Sequence, residues 1–391
     1  MIRIVPVTTK RQQKAFIDFP LKLYAGNDCF VPPLYGDEKK IFGSRNAYHD
    51  TCESSFFLAY DEGGNVVGRI SGIIQRSSNE KLNERRARFT RFDAKDDPEI
   101  AGKLFAAVES WAIERGMDTV CGPLGYSDLE REGLLVEGFD QLSTFEEQYN
   151  FDYYGRLIEG LGYKKEVDWT ESKLYLPDDG ASPVNGESGD EKDSVDKMAE
   201  FVMKRYNLHF GPADSVNDFL RRYADSFFEL LDESYDGLYG TVPFTDNMKK
   251  MLIANFKLII DLRHVMVILN EKDELICLAL CFPSIARAVQ PSKGKLTPAA
   301  LVRLLRSIKK PDVLDLGLVA VRPDFLNRGV PAIMCSELMK MMRTDGIKYC
   351  ETNLNLEDNF AIQNLWKRFR SVQHKRRRSY VKSLKAGDKN D

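Results

Sequence analysis

Three groups of residues in this sequence could do chemistry. Glu351, Asn353 and Asn355 alternate within Tyr349–Leu356, Glu357 continues the alternation just past it, and alternate residues of a strand share one face. A carboxylate there could take a proton from a substrate amine, with Glu351 as the candidate base; a solvated strand face would carry the same pattern. A second group, Glu130, Glu132, Glu137 and Asp140, is spread among Leu134, Leu135, Val136 and Phe139 in the long loop Gly122–Tyr149. These acids could line a cleft for a cationic amine, or sit on a surface loop packed by its own leucines. The third is Arg328-Gly329, where an apolar stretch runs into a helical period. Backbone amides at the start of a helix, together with its dipole, can hold an anion.

These groups need strands and helices behind them. Leu314, Leu316 and Leu318–Val321 read as a buried strand, Arg322–Gly329 as a loop, and Ala332, Met334, Leu338, Met341 and Met342 as a helix that Gly346 ends. Tyr349–Leu356 is then a second strand and Asp358–Phe369 a second helix. Upstream, Ile2–Val7 reads as a strand, Thr9–Leu23 as a helix, and Phe56–Tyr60 with Val66–Ile74 as a hairpin about Gly63-Gly64. Arg86–Phe92 is a strand, Asp97-Pro98 opens a helix, Thr119–Cys121 is a strand, Asn150–Leu161 a helix and Val167–Leu176 a strand. Pro177–Asp196, acidic and rich in Gly, Ser and Pro, is the clearest linker. Helices follow over Val195–Tyr206, Ser215–Leu231 and Thr245–Asp261, then a hairpin of Val265–Leu269 and Leu275–Phe282, and a helix over Leu296–Ile308. Arg378–Leu384 closes the chain as a strand, with the basic run Lys375–Arg378 expected as its solvated start. The two halves share this order of elements, as a diverged internal duplication would.

The loop residues carry a resemblance. Val321-x-Pro323-Asp324-Phe325-x-x-Arg328-Gly329-Val330 resembles the acyl-CoA pyrophosphate loop of the GNAT superfamily of N-acetyltransferases. Leu356-Glu357-Asp358-Asn359-x-Ala361, with Lys367-Arg368-Phe369, resembles that superfamily's next motif. The resemblance implies an α/β (α+β) fold of two tandem GNAT-like domains, each a mixed central sheet flanked by helices. Their expected bounds are 1–176 and 195–391, joined by a linker over 177–194. It also implies acetyl-CoA or another acyl-CoA as co-substrate, and no metal. Leu318, Val319 and Val321 would pair with the pantetheine arm, Arg328, Gly329 and Val330 would hold the pyrophosphate, and Asn359 would orient cofactor or product. The sequence departs from the family at Leu326, where Gln or Arg is usual, and at Pro331, which has no N–H for a phosphate. At Trp366 the family often has a Tyr acting as general acid, and indole has no hydroxyl to give. In the first unit the loop Asp93–Pro98 has no glycine and three carboxylates, which would repel a pyrophosphate. The second unit is therefore the expected site of acyl transfer.

Composition bounds the rest. The chain has 391 residues, 43% hydrophobic and 29% charged, and room for two ordinary domains. No apolar run reaches the about 18 residues that span a bilayer, and the N-terminus lacks a signal-peptide core. Seven scattered cysteines without a CxxC and four separated histidines point to reduced thiols and no metal site. A net charge of −3 gives no footprint for nucleic acid. The expectation is a cytoplasmic N-acyltransferase for a small-molecule or peptide amine, without nucleic-acid or membrane partners. The alternatives are a GNAT scaffold that has become a binding protein, and a tandem GNAT transferase of aminoacyl or long acyl groups.

Overall fold

A computed structural model describes residues 1–44, 46–177 and 191–385, with side chains omitted over 191–194. Most of the expected linker, 177–194, lies outside the described residues. In the first half, strands β1 (Arg3–Pro6), β2 (Cys52–Tyr60), β3 (Val66–Gln75), β4 (Arg86–Ala94), β5 (Thr119–Gly122), β6 (Leu134–Glu137) and β7 (Lys164–Tyr175) alternate with helices. These are α1 (Lys10–Leu23), α2 (Tyr35–Lys40), α3 (Arg76–Leu82), α4 (Pro98–Ile113) and α5 (Tyr153–Glu159). The second half brings α6 (Glu191–Arg205), β8 (His209–Phe210), α7 (Val216–Tyr235), α8 (Asp246–Phe256), β9 (Val265–Leu269) and β10 (Leu275–Pro283). After these come α9 (Ala286–Val289), α10 (Pro298–Lys309), β11 (Val313–Val321), α11 (Pro323–Leu326) and α12 (Val330–Asp345). The chain then closes with β12 (Tyr349–Thr352), β13 (Asn355–Leu356), α13 (Phe360–Trp366) and β14 (Arg370–Ser383).

Local signals account for the helix ends. Thr9 and Gln12 form a reciprocal capping box on α1. Asp97 caps α4 ahead of Pro98, and Gly346 ends α12 in the left-handed conformation. Asn150 does not start a helix, because its side chain bonds both Leu135 backbone groups, accepting from N–H at 2.7 Å and donating to C=O at 3.0 Å. The helix therefore begins at Tyr153.

The strands form one mixed sheet ordered β1-β2-β3-β4-β5-β14-β7-β12-β11-β10-β9-β8, with β6 beside β14 and β13 beside β7. Each half lends its closing strand to the other. β14, the end of the chain, pairs with β5, and β7 pairs with β12. The two lent strands pair with each other from Arg370↔Tyr175 to Val381↔Lys164. This exchange corrects the expectation of a solvated Lys375–Arg378. In β14 the alternating residues Lys375 and Arg377 point into the interior and are fully buried. Lys375 meets Glu171 at 3.1 Å and also pairs with Glu351, while Arg377 pairs with Glu171 and Glu147. Arg376 and Arg378 on the other face share Asp168. A run of four cations is stable inside a sheet here because the neighbouring strands supply the carboxylates.

Candidate active site

β11 positions the site. It runs parallel to β12 only from Val313↔Tyr349 to Leu316↔Thr352. Beyond that, β11 follows β10, while the chain after β12 swings away and β13 pairs with β7 at Trp169 and Thr170. The expected single strand Tyr349–Leu356 is thus two strands, and the break between them opens a slot in the sheet.

A bulge starts the divergence. Leu280 pairs with Leu318 but Cys281 with Leu316, leaving Gly317 out of register. A Cβ on Gly317 would lie 2.1 Å from the Phe282 ring, so only glycine permits this approach. Past the bulge, Arg322 N–H donates to Ile276 C=O at 2.9 Å. The antiparallel alternation then turns the Val319 and Val321 backbone groups away from β10 and toward the slot. The side chains at the end of α7 reach them: Tyr235 donates to Val319 C=O at 3.0 Å, and Ser234 to Val321 C=O at 3.1 Å.

The slot is a cavity of about 310 Å³. Leu316, Leu318, Met334, Leu338, Ile362 and Trp366 give it a long apolar wall between α12 and α13. Trp366 Nε1 donates to Asn355 Oδ1 at 2.8 Å, which fixes the indole in that wall. At the other end the cavity meets acids of the first-half loop: Asp128, Glu130, Glu132, Glu146 and Glu147. Asp128 Oδ1 and Glu132 Oε1 are buried without a hydrogen-bond partner among the described residues. Burial pushes the Asp128 carboxyl up to about 6. Burial, followed by the neighbouring Asp128 charge, raises Glu132 well above the usual carboxylate range. The Arg88 guanidinium offsets part of this for both, but is itself bonded to the Gly125 and Gly240 carbonyls. Tyr235 is pushed up to about 12 by burial and then by Asp128.

A second cavity of about 400 Å³ lies between the halves and shares Leu129, Glu130, Glu146 and Phe256 with the first. One wall is apolar, from Leu34, Met251, Leu252, Ile259, Ile285 and Leu296. The opposite wall carries Arg91, Arg131, Glu38 and Glu130, with Arg91 held 3.1 Å from Glu38.

The gap at the corresponding place in the first half is closed. β4 and β5 pair in parallel only as far as Arg88↔Cys121. Beyond it, Tyr154 Oη accepts from Ala94 N–H at 3.1 Å and Tyr153 donates to Ala94 C=O at 2.7 Å. Phenol groups of α5 thus occupy the backbone positions that a slotted ligand would use.

Of the residues expected to hold acyl-CoA, Leu318, Val319 and Asn359 line the first cavity. Asn359 also caps α13, accepting from Ile362 N–H at 3.2 Å. Val321 and Val330 pack with Val202 and Phe325 in a core between α6 and α12. Arg328 is exposed, with its guanidinium 4.8 Å from the Phe325 ring centre. Gly329 adopts φ 89° at the start of α12, where a Cβ would lie 2.7 Å from Val202. Glu351 is ion-paired with Lys375, and His374 Nε2 lies 3.2 Å from its carboxylate. Burial opposes its ionisation, but Lys375 and His374 outweigh that and hold the carboxyl down to about 2. Of the acidic loop, Glu130 and Glu132 line the cavity, whereas Glu137 pairs with Arg376. Asp128 and Tyr235 were not singled out in the sequence. Asp128 stood two residues ahead of the acids that were, and only the fold brings Tyr235 beside it.

No protein-family model matches the chain. Protein YghO of Escherichia coli is 26% identical over 385 residues, covering 96% of this chain and 94% of its own length. The bacterial ceramide synthase of Caulobacter vibrioides is 28% identical over 394 residues, covering 98% of each. A tandem GNAT protein from the clavulanic acid biosynthesis pathway superposes with a TM-score of 0.53 at 12% identity, over 99% of this chain and 100% of that one. The glucosamine N-acetyltransferase region of a fungal multi-domain beta-N-acetylglucosaminidase gives 0.54 at 10% identity, over 98% of this chain and 38% of that one. At such identities the likeness is one of fold, and it runs the length of the molecule. The chain has the tandem GNAT fold.

Proposed function

We propose that the chain is an acyl-CoA-dependent N-acyltransferase working through the slot of its second half, on an amine that carries a long apolar chain. The observation that carries this reading is the meeting of an apolar slot with two carboxylates, Asp128 and Glu132, each of which buries one oxygen without a hydrogen-bond partner among the described residues. The donor's pantetheine arm lies along the slot-facing edge of β11, between Leu318 and Val321, displacing the Tyr235 and Ser234 hydroxyls from the Val319 and Val321 carbonyls. Its acyl chain follows the apolar wall of α12 and α13, and Arg328 at the start of α12 faces the pyrophosphate. The acceptor sits in the second cavity, its amine at the Glu130–Leu129 junction and its chain along α8. The likeness to a bacterial ceramide synthase supports this acceptor class, since a ceramide is the amide of a long-chain amino alcohol.

The amine nitrogen attacks the thioester carbonyl, the N–C bond forms, and the C–S bond breaks. The Asp128–Glu132 pair takes the nitrogen's proton, because a base with a raised pKa is matched to that task near neutral pH. Tyr235 gives its proton to the departing thiolate in the place where Trp366 cannot. Glu351, committed to Lys375 and a weak proton acceptor, serves the scaffold.

The test is incubation of the purified protein with acyl-CoAs from acetyl to palmitoyl and a long-chain amino alcohol. Free thiol and N-acylated product are followed together by mass spectrometry. Equimolar appearance of both supports the reading. Acyl-CoA binding without product from any long-chain amine would refute the acceptor, and no binding of any acyl-CoA would refute the donor.

A further inference from the structure

The stretch from Leu275 to Pro311 contains seven Lys or Arg residues and no Asp or Glu, in a chain whose net charge is −3. α10 lies within it. Ala300 and Leu304 of this helix are buried, and Ile308 packs against the same core. That leaves a different arc outward: Leu301 is 39% exposed, Val302 48% and Leu305 62%. At 100° per residue these three lie side by side, with Arg306 at the border of the arc and Lys309 within it. Leu258 and Leu296 are also exposed, at 43% and 45%, and both line the second cavity. They form its mouth, and Lys257, Lys293 and Lys295 stand beside them, all exposed.

We infer that α10 and the Leu258–Leu296 rim form a docking face for an anionic lipid bilayer, with the second cavity opening onto the membrane surface. The leucines would enter the headgroup–acyl boundary, and the long cationic side chains would extend to the phosphates around them. Charge complementarity selects this occupant: Lys257, Lys293, Lys295, Arg306 and Lys309 stand around an apolar centre, in a chain whose net charge is −3. No helix among the described residues is long and apolar enough to cross a membrane, and docking of this kind requires none. Delivery of the acceptor through the cavity mouth rests on the acyl-transfer reading; binding to the bilayer does not.

The experiment is flotation of the full chain with vesicles, without substrates. One set is phosphatidylcholine alone, and the other is phosphatidylcholine mixed with phosphatidylglycerol. The expected result is about tenfold more protein on the mixed vesicles, decreasing as salt is raised. Leu301→Gln combined with Leu305→Gln lowers that binding about tenfold at an unchanged melting temperature. Arg306→Glu with Lys309→Glu lowers it and flattens the salt dependence. Equal binding to both vesicle types, no binding to either, or full binding by both variants overturns the inference. So does a dimer in sedimentation velocity that the leucine substitutions dissociate, which would assign the face to a second copy of the chain. Failure here leaves acyl transfer to soluble amines untouched, and vesicle binding by a protein without transferase activity would separate the two proposals.

Discussion

The Phe282 ring packs against Gly317 so closely that a Cβ on the glycine would lie 2.1 Å from it. This contact sits at the bulge where β11 parts from β12, so one glycine both admits the ring and opens the slot. Gly317→Ala is expected to cost about 1–3 kcal/mol of stability, as overpacking does in a tight interior. It should also weaken acyl-CoA binding. Phe282→Leu in the same chain should recover part of both losses, a coupling that urea denaturation and titration calorimetry of the double-mutant cycle would read.

Asp128 and Glu132 separate chemistry from binding. Glu132→Gln and Asp128→Asn should each lower kcat by about 10²–10⁴ while leaving acyl-CoA affinity within a small factor. The Asp128 carboxyl sits up at about 6, so activity should fall as pH drops through that value. In Asp128→Asn that limb should move or vanish. A pH–rate profile that is the same in wild type and variant would remove Asp128 from the proton path.

The same residue makes a stability prediction of definite sign. A carboxyl raised in the folded state binds its proton more tightly there than in the unfolded chain. Its relative stabilisation is present below the ordinary Asp value near 4 and is lost as pH rises through about 6. At pH 8 the wild type therefore carries a buried charge that Asp128→Asn removes. The variant should be more stable by about 1–3 kcal/mol at that pH, with the difference shrinking toward pH 4. Thermal melts across that range would check it.

Much of this was legible in the sequence because local patterns decide local structure. The helix start at Thr9, the helix stop at Gly346 and the hairpins depend on neighbours within a few residues, and the structure has each where the pattern places it. The exchange of β7 and β14 was not legible, since no local rule states which half a closing strand joins. A strand reading R-R-R looks solvated until the facing strands are known to carry Glu171, Glu351 and Asp168. The site divides in the same way. The slot follows from the β11 strand and the loop after it, whereas Asp128 and Tyr235 lie 107 residues apart in the chain and meet only across the two halves.

Arg328 tests the anion end of the slot. Its guanidinium is exposed and stacked near Phe325, beside the first turn of α12. Arg328→Glu should weaken acyl-CoA affinity by tenfold or more, on the order of the 1.5–3 kcal/mol of a charge-assisted hydrogen bond, and leave binding of a pantetheine thioester without the nucleotide unchanged. Equal loss for both ligands would mean that the substitution disturbs the slot itself.

Lys375 is the place where function and scaffold are easiest to confuse. Its ammonium is buried between Glu171 and Glu351, with Arg377 completing the cluster. Lys375→Met leaves two carboxylates facing each other in the interior, and breaking a buried pair on one side costs about 3–5 kcal/mol. Glu351→Gln should also destabilise, because it removes one of the charges that keep Lys375 ionised. If Glu351 is scaffold, kcat per folded molecule stays near wild type in Glu351→Gln while the urea midpoint falls. If it is the base, kcat falls by orders of magnitude at full folding. Measuring both on the same preparation decides between them, and the low proton affinity that Lys375 and His374 impose on Glu351 favours the first outcome.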